Sequence, residues 1–391
     1  MIKRAIEDTL KKQSADFRAL TITGPRQSGK TTLARRLFPD YQYVSLEDLD
    51  MRQFAQDDPR GFLKEYDKRT VIDEVQRVPD LLSYLQTKLD QSSQPAQYIL
   101  TGSQNFLLSE HIGQTLVGRT SLATLLPLTL DEIGSFHAST NTDIQAAILK
   151  GSYPAVYNNG LDPTVFYSSY VSLYLERDVR ELRTIDNLPK FQKFITLCAG
   201  RAGQLLNMTD LSGAIGVDAK TIDAWIGVLE ASFIAYRLQP YAANISKRLT
   251  KMPKLYFYDT GILCYLLGIR TRGELVKSHF YGSIFENLII GELMKNQTNK
   301  GEQPRLYFIR DHSGEADCVF QTAAGLAIAE IKVSNTYVSE HTIKLTNFGE
   351  LLGIPKSRRY LIYSGATQNR SDVKLVNVSD LQSGIFNYDH V

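Results

Sequence analysis

The tightest constraint on this chain is the stretch Gly24-Pro25-Arg26-Gln27-Ser28-Gly29-Lys30-Thr31-Thr32, preceded by the apolar run Ala19-Leu20-Thr21-Ile22 and followed by a helical pattern to Phe38. It fits G-x-x-x-x-G-K-[ST] in the strand–loop–helix setting that gives this spacing its meaning. A strand that ends where a helix begins presents free backbone N–H groups and the positive end of the helix dipole, and both hold phosphate oxygens. Gly24 and Gly29 let the backbone curl close around the phosphates, with Pro25, Arg26, Gln27 and Ser28 between them and Thr32 closing the cradle. Lys30 is expected to reach the β- and γ-phosphates, and the Thr31 hydroxyl to ligate Mg2+. No N/TKxD-like segment for guanine is present, so the expected nucleotide is ATP.

The surrounding pattern agrees. Strands are expected over 41–46, 69–75, 97–103 and 121–128, alternating with helices over 48–56 and 81–89, which argues for a parallel sheet wrapped by helices across residues 1–135. Ligands bind at the carboxyl ends of such strands. There Asp73 would hold Mg2+, and Glu74 would orient and polarise the attacking water; a surface ion pair is the plainer alternative. Ser103, at the end of the next strand, could sense the γ-phosphate or place the water, or stand in an ordinary turn. Arg119 is a candidate arginine finger or a phosphate contact in cis, with Arg26 competing for a phosphate role; a finger supplied in trans would require a homo-oligomer.

At 391 residues the chain exceeds one ordinary core, so two or three domains are expected. The net charge of +2 gives no global case for nucleic acid, although a local basic face remains open. Cys198, Cys264 and Cys318 are scattered without a C-x-x-C pair, which argues against zinc and disulfides and suits a reducing cytoplasm. No stretch approaches the roughly 18 apolar residues of a membrane span. Residues 1–7 read as a polar amphipathic helix with no apolar run of signal-peptide length.

Residues 136–200 read as a helical lid or linker. Its long helix ends in alternating charges, Glu176-Arg177-Asp178 and Arg180-Glu181, which fit either a solvated helix face or a cover over the nucleotide. Residues 201–250 have helix-turn-helix spacing: a first helix, a turn at Gly216-Val217, a cap at Asp218 and a second helix, then an alternating segment over 232–241. The second helix offers Lys220, Thr221, Asp223 and Trp225, so packing module and DNA reader both stand as readings.

Residues 251–391 read as an α/β region. It opens with a strand running into a turn over 254–261, continues with a helix over 280–293, and then has strands over 305–310, 315–320, 326–332 and 359–363. Glu330 and Lys332 share one strand face. Paired with Asp317 on a neighbouring strand, and with Glu286 from the helix, they would supply carboxylates for a metal and a lysine for the water or a transition-state phosphate. A hairpin carrying cross-strand charge pairs is the alternative.

Taken together, these segments resemble the prokaryotic P-loop ATPases of the AAA type with an attached DUF4143 domain. The resemblance rests on the P-loop, Val71-Ile72-Asp73-Glu74-Val75-Gln76, Leu100-Thr101-Gly102-Ser103, Gly118-Arg119, Leu126-Pro127-Leu128, Gly151-Ser152-Tyr153-Pro154, the stretch 174–178, Pro253–Gly261, Phe285-Glu286-Asn287, Glu315-Ala316-Asp317 and Glu330-Ile331-Lys332. It implies an AAA-like core, a winged-helix middle segment and a C-terminal fold similar to PD-(D/E)xK nucleases, in which Glu286, Asp317, Glu330 and Lys332 cluster. Ala316 stands where that motif has proline. The expected activity is ATP hydrolysis with Mg2+, coupled to a C-terminal domain that binds or cleaves DNA or RNA. The alternative is an ATP-driven switch whose inert C-terminal domain binds a protein partner.

Overall fold

The computed structural model describes residues 2–67, 69–103, 115–136, 143–181, 185, 187–241, 252–312 and 314–386, without the side chains of 174–181. The first region carries helix α1 (Glu7–Asp16), strand β1 (Ala19–Thr23), α2 (Lys30–Leu37), β2 (Gln42–Ser45), α3 (Leu49–Asp57), α4 (Pro59–Glu65), β3 (Thr70–Asp73), α5 (Leu81–Asp90), β4 (Tyr98–Thr101), β5 (Thr120–Thr124) and α6 (Leu130–Phe136). The five strands form a parallel sheet in the order β2-β3-β4-β1-β5. Strands β1, β3 and β4 are buried along their whole length, as strands covered on both faces must be. Because β4 lies between β1 and β3, its last residues stand between the P-loop and the acidic strand end.

The amino-terminal segment differs from the helix expected over 1–7. Ile2, Arg4 and Ile6 are buried, and Lys3 and Ala5 are exposed, before α1 begins at Glu7. This alternation threads Arg4 into the core, where a helix would have turned it outward.

The middle region continues with α7 (Ile144–Lys150), α8 (Pro154–Asn158), α9 (Pro163–Glu181), α10 (Leu188–Ala199), α11 (Met208–Ile215) and α12 (Ala219–Ala231). Gly216, at φ +75°, ends α11, and the Asp218 carboxylate caps α12 by accepting from Thr221 N. Ile222, Trp225, Ile226 and Leu229 bury one face of α12, with Trp225 edge-on to Phe191 and Phe194 of α10. Strand β6 (Ala235–Leu238) pairs antiparallel with β7 (Lys254–Phe257), so this hairpin runs across the boundary expected at 250. Where a turn was expected after β7, the Asp259 carboxylate accepts from Ile262 N and starts α13 (Thr260–Leu266), followed by α14 (Arg272–Lys277).

Helix α15 (Tyr281–Asn299) then leads to β8 (Leu306–Asp311), β9 (Gly314–Thr322), β10 (Gly325–Lys332), α16 (Glu340–Leu351), β11 (Arg359–Tyr363), β12 (Gln368–Asn369) and β13 (Lys374–Asn377). The strands form a mixed sheet in the order β12-β13-β11-β10-β9-β8. Residues 287–295 of α15 are all buried, the signature of a helix surrounded by protein. It touches β5, β7 and β10, one strand from each sheet. Glu292 accepts from Leu130 N at 2.9 Å, and Lys295 donates to Leu128 O at 2.7 Å. Asn287 exchanges two hydrogen bonds with the backbone of Phe257, each 2.8 Å, as a neighbouring strand would.

Candidate functional site

The P-loop follows β1 as its spacing requires. Gly24 (φ +142°) and Gly29 (φ +95°) take backbone conformations that side chains disfavour, and a Cβ on Gly24 would stand 2.2 Å from Leu125 O. Ser28 Oγ is buried without a partner among the described residues, inside a loop whose N–H groups suit phosphate oxygens. Lys30 Nζ donates to the carbonyls of Gly24 (3.0 Å) and Pro25 (2.8 Å) across the mouth of the loop. Burial pulls its ammonium down to about 8, against the opposing pull of Glu74 and Asp73.

The metal-binding residues expected here come together. Thr31 Oγ1 lies 2.9 and 3.1 Å from the two oxygens of Asp73, which also accepts from the hydroxyls of Tyr43 (2.9 Å) and Thr101. A hydroxyl beside a carboxylate would suit Mg2+, with Thr31 and Asp73 as the residues that would hold it. Burial and the Asp73 charge push the Tyr43 phenol up to about 12. Glu74, held at φ +55°, accepts from Ser103 Oγ at 2.9 Å and from the Gln76 amide, and its backbone N donates to Thr101 Oγ1 at 3.3 Å.

A cleft of about 510 Å3 opens in front of this group. One wall is Arg26, Gln27, Gly29, Lys30, Thr31, Thr32 and Glu74; the other is Pro154, Ala155, Asn158 and Asn159 at α8, with Tyr170 and Leu173 of α9. Arg26 does face this cleft, with its Nη1 4.0 Å from Glu47 Oε1. The far wall falls in the region read as a lid or linker, but its individual residues could not be named from the sequence because Asn158 and Tyr170 carry no motif and meet the P-loop only through folding. The charged stretch 176–181 lies outside the described side chains.

Arg119 is not brought to this site. Its guanidinium grips both oxygens of Asp90, at 2.7 and 2.8 Å, and its carbonyl accepts from Ala19 N. It therefore sits at the amino end of β1, roughly 15 Å of strand from the P-loop. A phosphate contact in cis is corrected on that geometry: a residue just before β5 lies at the wrong end of a parallel sheet.

Arg4, which no motif marks, is tied to the loop instead. It donates to Ser28 O (2.9 Å), Leu126 O (2.6 Å) and Glu132 Oε1 (3.1 Å), and is 6% exposed. A buried arginine with three acceptors fixes the back of the P-loop to the segment that α15 holds from the other side.

The second constellation also assembles. Glu286 projects from α15, Asp317 from β9, and Glu330 and Lys332 from β10. Lys332 Nζ lies 2.6 Å from Glu330 Oε1 and 3.6 Å from Asp317 Oδ2, and Ile331 N donates to Asp317 at 2.7 Å. Burial and the Asp317 charge push the carboxyls of Glu286 and Glu330 up to about 7. A residue absent from the expected set joins them: Lys254, at the start of β7, places Nζ 3.3 Å from Glu286 Oε1 and 2.5 Å from Glu315 Oε1. Burial alone would lower its ammonium, but Glu286, Glu315 and Asp317 outweigh that and raise it.

The parallel five-stranded sheet and its phosphate-binding loop have the form of a P-loop nucleotide-binding domain. Residues 16–134 match the AAA domain family, 141–273 a domain of unknown function (DUF8612), and 281–381 a second domain of unknown function (DUF4143). An uncharacterized protein of Mycobacterium tuberculosis is 28% identical over 349 residues, covering 88% of this chain and 76% of its own. One from Haemophilus influenzae is 23% identical over 313 residues, covering 70% and 74%. Among solved structures, a Walker-type ATPase of Pyrococcus abyssi aligns with 68% of this chain and 96% of its own, at TM-score 0.46 and 13% identity. A RuvB of Thermotoga maritima aligns over 60% and 86%, at TM-score 0.31 and 18% identity.

Proposed function

We propose that the chain is an Mg2+-dependent ATPase that works as a switch, with nucleotide state read by the helical middle region. The observation that carries this is the two-sided cleft: phosphate-binding elements form one wall and α8–α9 the other, so a nucleotide bound there touches both. Gly24 to Thr32 cradle the phosphates, Lys30 neutralises them, and Thr31 with Asp73 holds the ion, which supplies charge stabilisation on the phosphates. Glu74 orients the attacking water and accepts its proton, and Ser103 and Gln76 fix where that carboxylate points.

The middle segment is read as a winged-helix-like module that presents a protein-binding surface. The exposed face of α12 carries Ala219, Lys220, Asp223 and Ala224, and the nearby Arg237 is tied to Asp223 (2.7 Å) and Glu230. Such a face has little charge to offer a phosphate backbone. The test is hydrogen exchange of the full chain with a non-hydrolysable ATP analogue, ADP or no nucleotide, beside phosphate-release assays. Protection of 154–173 by the ATP analogue beyond that by ADP is expected. Hydrolysis without any such difference would remove the switch and leave the ATPase.

Lys30 adds a pH signature. Burial draws its ammonium down to about 8, and a triphosphate against Nζ favours the charged form. Nucleotide binding therefore takes up protons at pH 8 to 9, and affinity falls as pH rises above 8. Calorimetry in two buffers of different ionisation enthalpy measures this uptake, and Lys30→Met abolishes it.

A further inference from the structure

A magnesium among Glu286, Asp317 and Glu330 is what a nuclease-like C-terminal domain requires, and these residues do not fit one. Among the described residues no group of three His, Cys, Asp or Glu side chains is arranged to hold a metal ion. The reason is visible atom by atom. Glu286 Oε1 is taken by Lys254 Nζ and the Tyr256 hydroxyl. Glu330 Oε1 is taken by Lys332, and Asp317 Oδ2 by Ile331 N with Lys332 beside it. Lys332 is the lysine expected beside such carboxylates; Lys254 is a further ammonium, standing where a metal-binding site would leave Glu286 open.

Of the two, Lys254 is the one that comes from outside the domain. It opens β7, the second strand of the hairpin in the middle region, and is 3% exposed. We infer that Lys254 is the resident cation of this carboxylate cluster, taking the place of a divalent metal and fastening the hairpin to α15 and β9. The cluster then binds neither Mg2+ nor Mn2+ in the intact protein, and serves as an ionic joint between the middle region and the C-terminal sheet. Burying an ammonium costs several kcal/mol unless close carboxylates offset it, and Glu286 and Glu315 are in contact with this one. Removing it leaves Glu286, with Asp317 close by, without its ammonium partner and Glu315 with only the longer contact to Arg310 (3.4 Å), which is the condition a divalent ion relieves. Lys332 against Glu330 and Asp317, and Arg310 against Glu315 at 3.4 Å, are the other cations around the cluster.

The inference rests on the switch reading only in treating the C-terminal domain as inert, and it is tested without nucleotide so that the two can fail separately. Mn2+ binding to the full chain is followed by electron paramagnetic resonance and by the melting temperature, in an Asp73→Asn background that removes the P-loop carboxylate. The Lys254-containing protein is expected to show no saturable Mn2+ site and no metal-dependent melting shift. Lys254→Met melts lower, gains a saturable Mn2+ site that restores the melting temperature, and loses the site again with Asp317→Asn. Lys254→Gln, which keeps hydrogen bonds to the carboxylates, gains a weaker site and serves if Lys254→Met does not fold. Saturable Mn2+ binding with Lys254 in place, lost in Asp317→Asn, overturns the inference. So does failure of both Lys254 variants to gain a site.

Discussion

Glu74→Gln protein is expected to bind ATP as tightly as the wild type and to hydrolyse it ~10²- to 10⁴-fold more slowly, the range that general-base catalysis contributes. The substitution keeps the size of the side chain and its ability to accept from Ser103 Oγ and the Gln76 amide, so the neighbourhood stays intact. What it removes is the basic oxygen that, on the proposed mechanism, takes the water's proton. Ground-state binding rests on the P-loop and on the Thr31–Asp73 pair, which the change does not touch. The result should therefore be a fall in kcat with an unchanged nucleotide Kd, the pattern of an interaction made only in the transition state. A rate within about threefold of wild type would place proton acceptance on another group.

The second large effect is structural. Gly151→Ala is expected to cost ~2–6 kcal/mol, adding positive-φ strain of about 1–3 to overpacking of about 1–3. Gly151 sits at φ +65°, and a Cβ there would stand 1.9 Å from Tyr167 Oη and 2.6 Å from Asp259 Oδ1. Neither neighbour can yield cheaply. Tyr167 donates to Lys150 O at 2.9 Å, and Asp259 accepts from Ser152 N and Oγ while capping α13. Against a total stability of about 5–15 kcal/mol for a domain, this loss is large. Melting temperature and soluble yield measure it; an unchanged melting temperature would mean that the chain reaches this corner in another conformation.

Much of the nucleotide site could be read from the sequence because it is local. The P-loop is nine consecutive residues, and Asp73–Glu74 and Ser103 each end a strand whose apolar run announces it. The gathering of Glu286, Asp317, Glu330 and Lys332 was also foreseen, from strand alternation and from resemblance, while Lys254, the cation proposed for it here, was not. What escaped was held by contacts between distant segments. Arg4 meets Glu132 across 128 positions, and Lys254 meets Glu286 across 32. Each nonetheless left a trace. Arg4 sits in an Ile2-x-Arg4-x-Ile6 alternation, and Lys254 opens a strand buried along its whole length, where a charge requires a partner. Arg119 misled because Gly118-Arg119 marks the start of a strand, and only the sheet's direction shows which end faces the phosphates.

Helix α15 has a consequence for how this chain can be cut and recombined. Residues 287–295 are buried, with hydrogen bonds that cross the family boundaries, so each region is expected to need its neighbours to fold. A fragment beginning at 281 would carry Glu292 and Lys295 bare to water, and one ending at 134 would lose the partners of the Leu128 and Leu130 backbone. Calorimetry should accordingly find one melting event for the intact chain. Exchange of any single region between relatives would have to bring the helix's matching surface along with it.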